Sequence, residues 1–267
     1  MQPIIKWSGS KRSQTKQILN YFPTKVRTYY EPFVGGGSLL YSVLERDLCD
    51  KAIVGDICKP LVDLWLIIKD YPEEIIVYYT NYWLSLQKEG ERVYYACRDR
   101  FNNDFNPKDF FCLNRTCFNG LVRFNSEGKF NVSYHLTRKG IDPSKIESII
   151  KDWTFTLRDK VTFLNLDYSE TIKNATEEDM VYFDPPYVNT KGMYSEEFDH
   201  TRFYSTLEKL NRKNIRWLLS YDGDRYLYSE LPRELYKSKY LLESGNSSFS
   251  RLKKKQVKIK ESLYVNF

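Results

Sequence analysis

The chain has 267 residues, 42% of them hydrophobic, which suits one large α/β domain or a core domain with a smaller insertion. Its five cysteines include no C-x-x-C pair and it has two histidines, which disfavours a disulfide framework, a zinc site and a Ser-His-Asp triad. No signal peptide is present, and no apolar run reaches the roughly 18 residues of a membrane span. We therefore expect a cytoplasmic protein without a metal or a membrane segment.

The net charge of +6 is unevenly distributed. Residues 1–30 contain lysines and arginines but no acidic residue, and residues 251–260 are also strongly basic. The chain is rich in aromatic residues, with 22 Tyr and 16 Phe. Basic segments interleaved with aromatic side chains indicate a polyanionic partner, although either segment taken alone is better explained by a solvated surface.

The N-terminal region is predicted to form a loop, a helix, a strand and a glycine turn. Residues 6–11, Lys-Trp-Ser-Gly-Ser-Lys, suit a loop around a small charged molecule or an ordinary N-terminal turn. In residues 28–40 a strand leads into three consecutive glycines and a helix, so the backbone can approach a ligand closely. The turn lacks the Lys-Ser/Thr of a P-loop and the spacing of a dinucleotide site, so it favours a nucleoside-type cofactor.

A second predicted strand, residues 51–57, ends in an acid. Asp56 follows the glycines by about 20 residues, the spacing at which a carboxylate binds both ribose hydroxyls of a nucleoside. Capping of the apolar helix predicted at residues 61–68 is the alternative role. The spacing favours the ribose interpretation.

Residues 70–144 interrupt the α/β pattern. Residues 72–100 are predicted to be helical, and residues 113–134 to form a helix end that leads into a hairpin with a turn at 126–129. The hairpin is dense in Arg, Asn and aromatic residues, and Arg and Asn side chains pair with the edges of guanine and adenine. A polar hairpin on an aromatic core is the alternative. We predict an inserted substrate-recognition subdomain.

The α/β pattern then resumes. Strands are predicted at residues 161–166, 180–183, 215–220 and 262–265, and a helix at 196–212. The first of these strands ends just before Asp167 and Tyr168.

The chain is organised around residues 180–187. The apolar run 180–183 predicts a buried strand, and Pro185 and Pro186 end it immediately after Asp184. Asp184 and the Pro185 carbonyl can each accept one hydrogen of an exocyclic amine, while the ring of Tyr187 can stack on a flat heterocycle. A Pro-Pro turn with Asp184 as a solvated cap is the alternative, and the motif alone does not separate the two.

Taken together, these segments resemble the Dam-type (alpha-class, D12 family) DNA adenine-N6 methyltransferases. The matching segments occur in the family's order along almost the whole chain. They are residues 6–11, 31–38, 55–57, 114–132 and 184–187, and the basic tail that precedes residues 261–264.

The resemblance implies a Rossmann-like S-adenosylmethionine-dependent methyltransferase sheet in residues 1–69 and 145–267. It implies a mainly helical DNA-recognition subdomain with a β-hairpin in residues 70–144. The expected partner is double-stranded DNA, and we expect a DNA-associated protein of bacterial or phage type, monomeric or weakly dimeric. A restriction–modification role and a solitary role both stay open.

The resemblance also assigns cofactor contacts. Trp7 and Lys11 are expected beside the methionine part of S-adenosylmethionine, Asp56 at the ribose, and Asp167 with Tyr168 at the adenine. Asp184 is expected near both the methionine part and the target amine, with Pro185, Pro186 and Tyr187 completing the catalytic motif. The full predicted cofactor set is Trp7, Lys11, Glu31, Pro32, Phe33, Gly35, Asp56, Ile57, Asp167, Tyr168 and Asp184.

For DNA, the resemblance places Lys6, Leu121 and Arg123 at target-site bases, and Phe118 in the gap left by a flipped adenine. The full predicted DNA-binding set is Lys6, Arg115, Phe118, Asn119, Leu121, Arg123, Asn131 and Ser133. The chain departs from the family's usual residues at Ser8, Ser10, Phe118, Ser133 and residues 221–223. These departures leave the recognition sequence open.

The expected reaction is methyl transfer from S-adenosylmethionine to N6 of an adenine flipped out of the duplex. N4-methylation of cytosine needs the same hydrogen bonds to an exocyclic amine. Enzymes that methylate cytosine N4 more often have Ser at the position of Asp184, so the resemblance favours adenine. A catalytically silent DNA-binding homologue is the alternative of a different class, and the presence of Trp7, Asp56 and Asp184 argues against it.

Overall fold

A mixed β-sheet forms the centre of the protein. The structure is a computed structural model and describes residues 2–186, 198–221, 231–243 and 260–267. Within those ranges the sheet has seven strands. They are β1 (Val26–Glu31), β2 (Cys49–Gly55), β3 (Val161–Leu164), β4 (Met180–Phe183), β5 (Arg216–Tyr221), β6 (Ser238–Glu243) and β7 (Lys260–Val265).

The strand order is β3-β2-β1-β4-β5-β7-β6. The strands β1 to β5 pair in parallel, whereas β7 runs antiparallel to both β5 and β6. The order reverses between β1 and β4, because the chain moves outward from β1 to β2 and β3 and then returns to the other side of β1. Ligands of open α/β sheets bind beyond the carboxyl ends of the strands at such a reversal. The predicted α/β sheet is confirmed.

Side chains of the central strands alternate between two apolar cores. Tyr29 and Tyr182 join the core on one face, while Tyr30, Val181 and Phe183 join the core on the other face. Successive residues of a strand point to opposite faces, so a central strand covered on both faces is apolar throughout. This explains why β4 has no charged residue and why a charged side chain, Asp184, comes only directly after it.

Helices cover both faces of the sheet. The helices α2, α3 and α7 share the larger core with the inserted segment, whereas α8 and α9 contribute to the second core. The helices are α1 (Thr15–Leu19), α2 (Ser38–Glu45), α3 (Lys59–Asp70), α4 (Pro72–Glu89), α5 (Glu91–Asp104), α6 (Pro107–Thr116), α7 (Pro143–Leu157), α8 (Tyr168–Thr171) and α9 (His200–Arg212). No helix in the described ranges combines the length and apolar character needed to cross a membrane.

The inserted segment consists of α4, α5, α6 and a long loop. The predicted helical run at 72–100 is divided into α4 and α5 at Gly90, which has a positive φ of 63°. The predicted hairpin exists as two isolated antiparallel bridges, Cys117 with Tyr134 and Phe124 with Phe130, rather than as a continuous ladder. Helix α5 supports it, since Asn102 accepts from the Phe130 N–H (2.7 Å) and donates to its carbonyl (3.1 Å).

Some predicted strands have different bounds in the structure. The strand predicted at 51–57 lies at Cys49–Gly55, so Asp56 and Ile57 follow it. The strand predicted at 161–166 ends at Leu164, because the Asn165 side chain turns to donate to the carbonyls of Asp56 (3.0 Å) and Ile57 (3.1 Å). Strand β6 was not predicted, because most of its side chains are exposed and its pairing with β7 holds it in place. Tyr187, Asp222, Gly223 and the basic residues 251–259 lie outside the described residues.

Candidate active site

A buried ion cluster lies at the carboxyl ends of β1 and β4. Asp184 directly follows β4, and its Oδ1 lies 2.7 Å from Lys11 Nζ. Glu261, at the start of β7, places Oε1 3.1 Å from the same nitrogen. Lys11 is 5% exposed, Glu261 13% and Asp184 20%, so the aspartate is the most exposed of the three. Among the residues that the structure describes, the second oxygen of Asp184 has no polar partner.

The N-terminal loop delivers Lys11 to this position by packing on the glycine turn. A Cβ on Gly35 would lie 2.6 Å from Trp7 Cδ1, and one on Gly36 would lie 3.1 Å from Trp7 Cβ. The glycines are therefore required by Trp7 as well as by the positive φ of 46° at Gly35. Ser10 Oγ is 2.7 Å from Ser38 Oγ, which joins the loop to the first turn of α2.

The pKa of Asp184 and the pKa of Lys11 are both raised in this cluster, for different reasons. Burial raises the pKa of Asp184 to about 6, Lys11 opposes the shift, and the negative charge of Glu261 adds to it. Burial lowers the pKa of Lys11, but Asp184 and Glu261 outweigh it and hold that pKa above its ordinary value. Near neutral pH Lys11 is thus a cation and Asp184 is mainly a carboxylate that can accept hydrogen bonds.

Glu31 ends β1 and is buried next to this cluster. The Tyr29 hydroxyl donates to Glu31 Oε2 at 2.8 Å, a contact that the period-2 geometry of a strand allows. Burial raises the pKa of Glu31 to about 8, the Tyr29 hydrogen bond opposes this, and the charge of Asp184 raises it further. Glu31 is therefore mainly protonated at neutral pH.

The glycine turn and the end of β2 are joined through Asp56. The Asp56 carboxylate accepts from the N–H of Gly35 (3.2 Å) and from the N–H of Cys58 (2.9 Å). It is buried, and this burial raises its pKa to about 6 while the backbone N–H donors oppose the shift. Helix α3 begins after Cys58 without a side-chain cap, so Asp56 supports the turn rather than capping α3. Ile57, next to it, is 62% exposed.

An aromatic group lines the side of the site near β3. Phe33 stacks on Tyr168 with ring centroids 5.6 Å apart, and Phe198 meets Phe33 edge-on. Asp167 caps α8 by accepting from the Ser169 N–H at 2.9 Å. Arg202 of α9 reaches the same carboxylate, at 2.7 Å from Oδ1 and 3.2 Å from Oδ2. Pro32, which lies between Glu31 and Phe33 in the sequence, is also buried.

The N-terminal loop is also fixed to the inserted segment. Asn114 of α6 accepts from the Lys6 N–H (2.8 Å) and donates to the Lys6 carbonyl (2.7 Å). Arg115 is buried and donates to the carbonyls of Pro3 (3.3 Å) and Ile4 (3.2 Å). A Cβ on Gly120 would overlap the Lys6 side chain, so Lys6 lies directly against the loop that follows α6.

Most of the predicted DNA contacts share one exposed loop. Phe118 is 48% exposed and stacks on His135 at 5.6 Å, and Leu121 is 40% exposed. Arg123 donates from Nε to Asn131 Oδ1 at 2.8 Å, so these two side chains form one unit. Asn119, with a left-handed φ of 55°, and Ser133 are also exposed.

Comparison with known proteins identifies the family. The model of the D12 class N6 adenine-specific DNA methyltransferases matches residues 7–258. The chain belongs to this family. It is therefore an enzyme that methylates N6 of adenine in DNA, with the methyl group supplied by a donor molecule.

Three relatives show how far the similarity extends. The Type II methyltransferase M1.LlaDCHI of Lactococcus lactis subsp. cremoris is 30% identical, over 89% of this chain and 85% of its own length. The Type II methyltransferase M.MjaIII of Methanocaldococcus jannaschii is 30% identical, over 82% of this chain and 84% of its own length. The DNA adenine methylase of Haemophilus influenzae is 30% identical, over 99% of this chain and 93% of its own length.

For this DNA adenine methyltransferase the structure adds residues that sequence reasoning missed. Glu261, Tyr29 and Arg202 each contact a predicted site residue. The spacing of Tyr29 and Glu31 in a strand was available as a signal, whereas Glu261 and Arg202 are distant in the sequence from their partners. The described residues hold no group of three His, Cys, Asp or Glu side chains suited to a metal ion.

Proposed function

We propose that this enzyme transfers the methyl group of S-adenosylmethionine to N6 of an adenine flipped out of double-stranded DNA. The observation that carries the proposal is the Asp184 carboxylate at the sheet reversal. One of its oxygens is bound by Lys11, and the other has no partner in the described part of the chain. That oxygen can accept one hydrogen of the target amine, and the Pro185 carbonyl the other.

The residues at the sheet edge suit S-adenosylmethionine. The glycine turn with Trp7 and Lys11 suits its methionine part, and Asp56, whose oxygens each accept one N–H, retains lone pairs for ribose hydroxyls. Phe33 and Tyr168 offer apolar surface to its adenine ring, with Asp167 beside them. The remaining proposed contacts are Glu31, Pro32, Gly35 and Ile57. When bound, this cofactor supplies a methyl group on a positively charged sulfur.

The chain's own contribution to the reaction is orientation. N6 is not accessible to attack inside a stacked duplex, so the adenine must leave the stack at a cost of a few kcal/mol. We propose that Tyr187, which lies outside the described residues, stacks on the extruded base next to Pro186. Asp184 then directs the nitrogen lone pair, and holding the reactants in line supplies much of the rate enhancement.

We assign recognition of DNA to residues 70–144 together with Lys6 of the N-terminal loop. Lys6, Leu121 and the Arg123–Asn131 unit are proposed at base edges, Phe118 in the gap left by the adenine, and Asn119 and Ser133 beside them. Arg115 is not among these contacts, because it is buried and bound to backbone carbonyls. We propose instead that Arg115 positions the N-terminal loop and thereby Lys6.

The test is an incubation of the protein with labelled S-adenosylmethionine and DNA of mixed sequence, followed by nucleoside analysis and mapping. N6-methyladenine in one short motif supports the proposal and identifies the recognition sequence. N4-methylcytosine would overturn the base assignment. Absence of transfer together with absence of cofactor binding would make the chain a catalytically silent DNA-binding homologue.

Replacing Arg123 with Ala tests the recognition assignment in the same assay. Arg123→Ala should broaden the set of methylated sequences, because a bidentate base contact contributes about 1–3 kcal/mol of discrimination. The affinity for S-adenosylmethionine should stay unchanged. A uniform loss of methylation on every sequence would instead make Arg123 a phosphate contact.

A further inference from the structure

Glu261 is a charged group at the active site without a role in the proposed chemistry. Its Oε1 lies 3.1 Å from Lys11 Nζ, and Asp184 binds the same nitrogen. We propose that Glu261 makes the cofactor pocket discriminate between the positively charged methyl donor and the uncharged product left after transfer. This inference rests on the proposed use of S-adenosylmethionine.

The direction of β7 explains why a residue near the end of the chain reaches the site. Strand β7 runs antiparallel to β5, and Ser262 pairs with Tyr221, the last residue of β5. The beginning of β7 therefore lies at the edge where β4 and β5 end. A parallel strand in the same place would begin at the opposite edge of the sheet and would not bring Glu261 to Lys11.

Counted over the described residues alone, Lys11, Asp184 and Glu261 sum to a net negative charge, because Glu261 adds a second carboxylate. Lys11 is one cation between two carboxylates, and Glu31 adds no charge while it is protonated, which its pKa of about 8 ensures at neutral pH. Lys11 is 5% exposed and Glu261 is 13% exposed, so water and salt screen these charges less than they screen surface charges. With a neutral residue at position 261, the Lys11–Asp184 pair alone would sum to zero.

Negative charge near the cofactor should affect the affinities for its two forms differently. S-adenosylmethionine has a positive sulfonium, and S-adenosylhomocysteine, which remains after the methyl group leaves, has a neutral thioether. The two share the adenosine and the amino-acid group, so contacts to those parts contribute to both affinities alike. The two differ in the methyl group and in the charge of the sulfur, and the proposed role of Glu261 is to act on that charge through its own negative charge beside Lys11. It is a specificity residue rather than a catalytic one.

The alternative role for Glu261 is mechanical, holding Lys11 in place. That role predicts an equal loss of affinity for both cofactor forms when Glu261 is changed. The charge role predicts an unequal loss. The two roles are therefore separable by binding measurements alone, without any turnover.

The experiment is isothermal titration calorimetry of the full chain with S-adenosylmethionine and with S-adenosylhomocysteine, near neutral pH. In Glu261→Gln, which keeps the shape and removes the charge, the preference for S-adenosylmethionine over S-adenosylhomocysteine should fall about tenfold, through weaker binding of the donor. Glu261→Asp keeps the charge and should keep the preference within about twofold. The matched control is Glu178→Gln, an exposed acid next to β4 at the opposite edge of the sheet, which should change neither affinity.

Equal loss of affinity for both molecules, or an unchanged preference in Glu261→Gln, would overturn the inference while the proposed function stands. Failure of the unmodified protein to bind either molecule would overturn the proposed function and this inference together. Circular dichroism spectra of the variants exclude unfolding as the cause of any loss.

Discussion

The amino ends and the carboxyl ends of β1 and β4 each hold a carboxylate, and the two carboxylates have opposite environments. At the amino ends, Asp179 is fully buried and accepts from the Thr28 N–H (3.1 Å), from Arg27 Nε (3.1 Å) and Nη2 (3.0 Å), and from the Thr176 N–H (2.8 Å) and hydroxyl (3.0 Å). At the carboxyl ends, Asp184 has a single direct partner among the described residues. Asp179 is saturated with donors, whereas one oxygen of Asp184 has no partner within residues 2–186, 198–221, 231–243 and 260–267.

The pKa values follow from this difference. Burial acts to raise the pKa of Asp179, but the donors from Arg27, Thr176 and Thr28 outweigh it and lower that pKa. At the other end burial prevails, and the pKa rises to about 6 for Asp184 and to about 8 for Glu31. The donors at Asp179 stabilise the fold, whereas the proposed function uses Asp184 as the carboxylate that contacts a ligand.

The largest effect is expected from removal of the open carboxylate. Asp184→Ala should reduce methyl transfer by about 10³-fold or more, because the target amine loses the acceptor that orients it. Single-turnover methylation with labelled donor measures the loss, and far-UV circular dichroism verifies the fold. Turnover near that of the unmodified protein would remove Asp184 from the mechanism.

At the amino ends of β1 and β4, replacing the carboxylate with Ala should lower the stability of the protein rather than its activity. Asp179→Ala leaves several buried donors unsatisfied and should lower the free energy of unfolding by about 3 kcal/mol. Urea denaturation measures this loss, and cofactor affinity in the folded protein should be unchanged.

The neighbouring Glu178 provides the control, since it is 65% exposed. Glu178→Ala should leave stability nearly unaffected. If Asp179→Ala weakened cofactor binding while stability was retained, the division of roles between the two ends would be wrong.

Stability near the open end should depend on pH through Glu31. Its pKa of about 8 in the folded protein exceeds its ordinary value of 4.5, so the folded state keeps a proton that the unfolded state releases. The stabilisation from this neutral form is complete below about pH 4.5 and declines as pH rises toward 8. Glu31→Gln should cancel that decline. Between pH 6 and pH 8 the free energy of unfolding of the variant should therefore rise by about 2 kcal/mol relative to that of the unmodified protein.

Chemical denaturation at several pH values tests this expectation. Parallel stability curves for the unmodified protein and Glu31→Gln over this range would show that Glu31 does not retain its proton on folding. Asp179 gives the opposite sign, because its lowered pKa contributes stability above its ordinary value of 3.8 that is lost as the pH falls.

The smallest effect is expected from trimming one donor at the saturated end. Thr176→Val removes the hydroxyl that donates to Asp179 Oδ2 at 3.0 Å and keeps the side-chain volume. The free energy of unfolding should fall by about 1 kcal/mol, because the carboxylate keeps its remaining donors. A loss as large as that of Asp179→Ala would mean that the donors act together rather than separately.

Local patterns in the sequence were sufficient for the strands that carry the site. The apolar run of β4 followed by two prolines predicted both the strand and the position of Asp184 at its end. The glycine turn and Asp56 were predicted from their spacing, and they are joined by a hydrogen bond of 3.2 Å. Each of these features is encoded within a few residues or by a regular strand–turn–helix spacing.

Only the tertiary structure shows which distant side chains meet. Lys11, Asp184 and Glu261 come from three separate parts of the chain, and they meet because β7 reverses direction at the sheet edge. Arg115 had the residue type of a DNA contact, yet its place on α6 turns it toward the N-terminal carbonyls. Residue type and spacing specify local conformation and chemistry, whereas burial and partners depend on how the elements pack, and packing determines which carboxylate stays open.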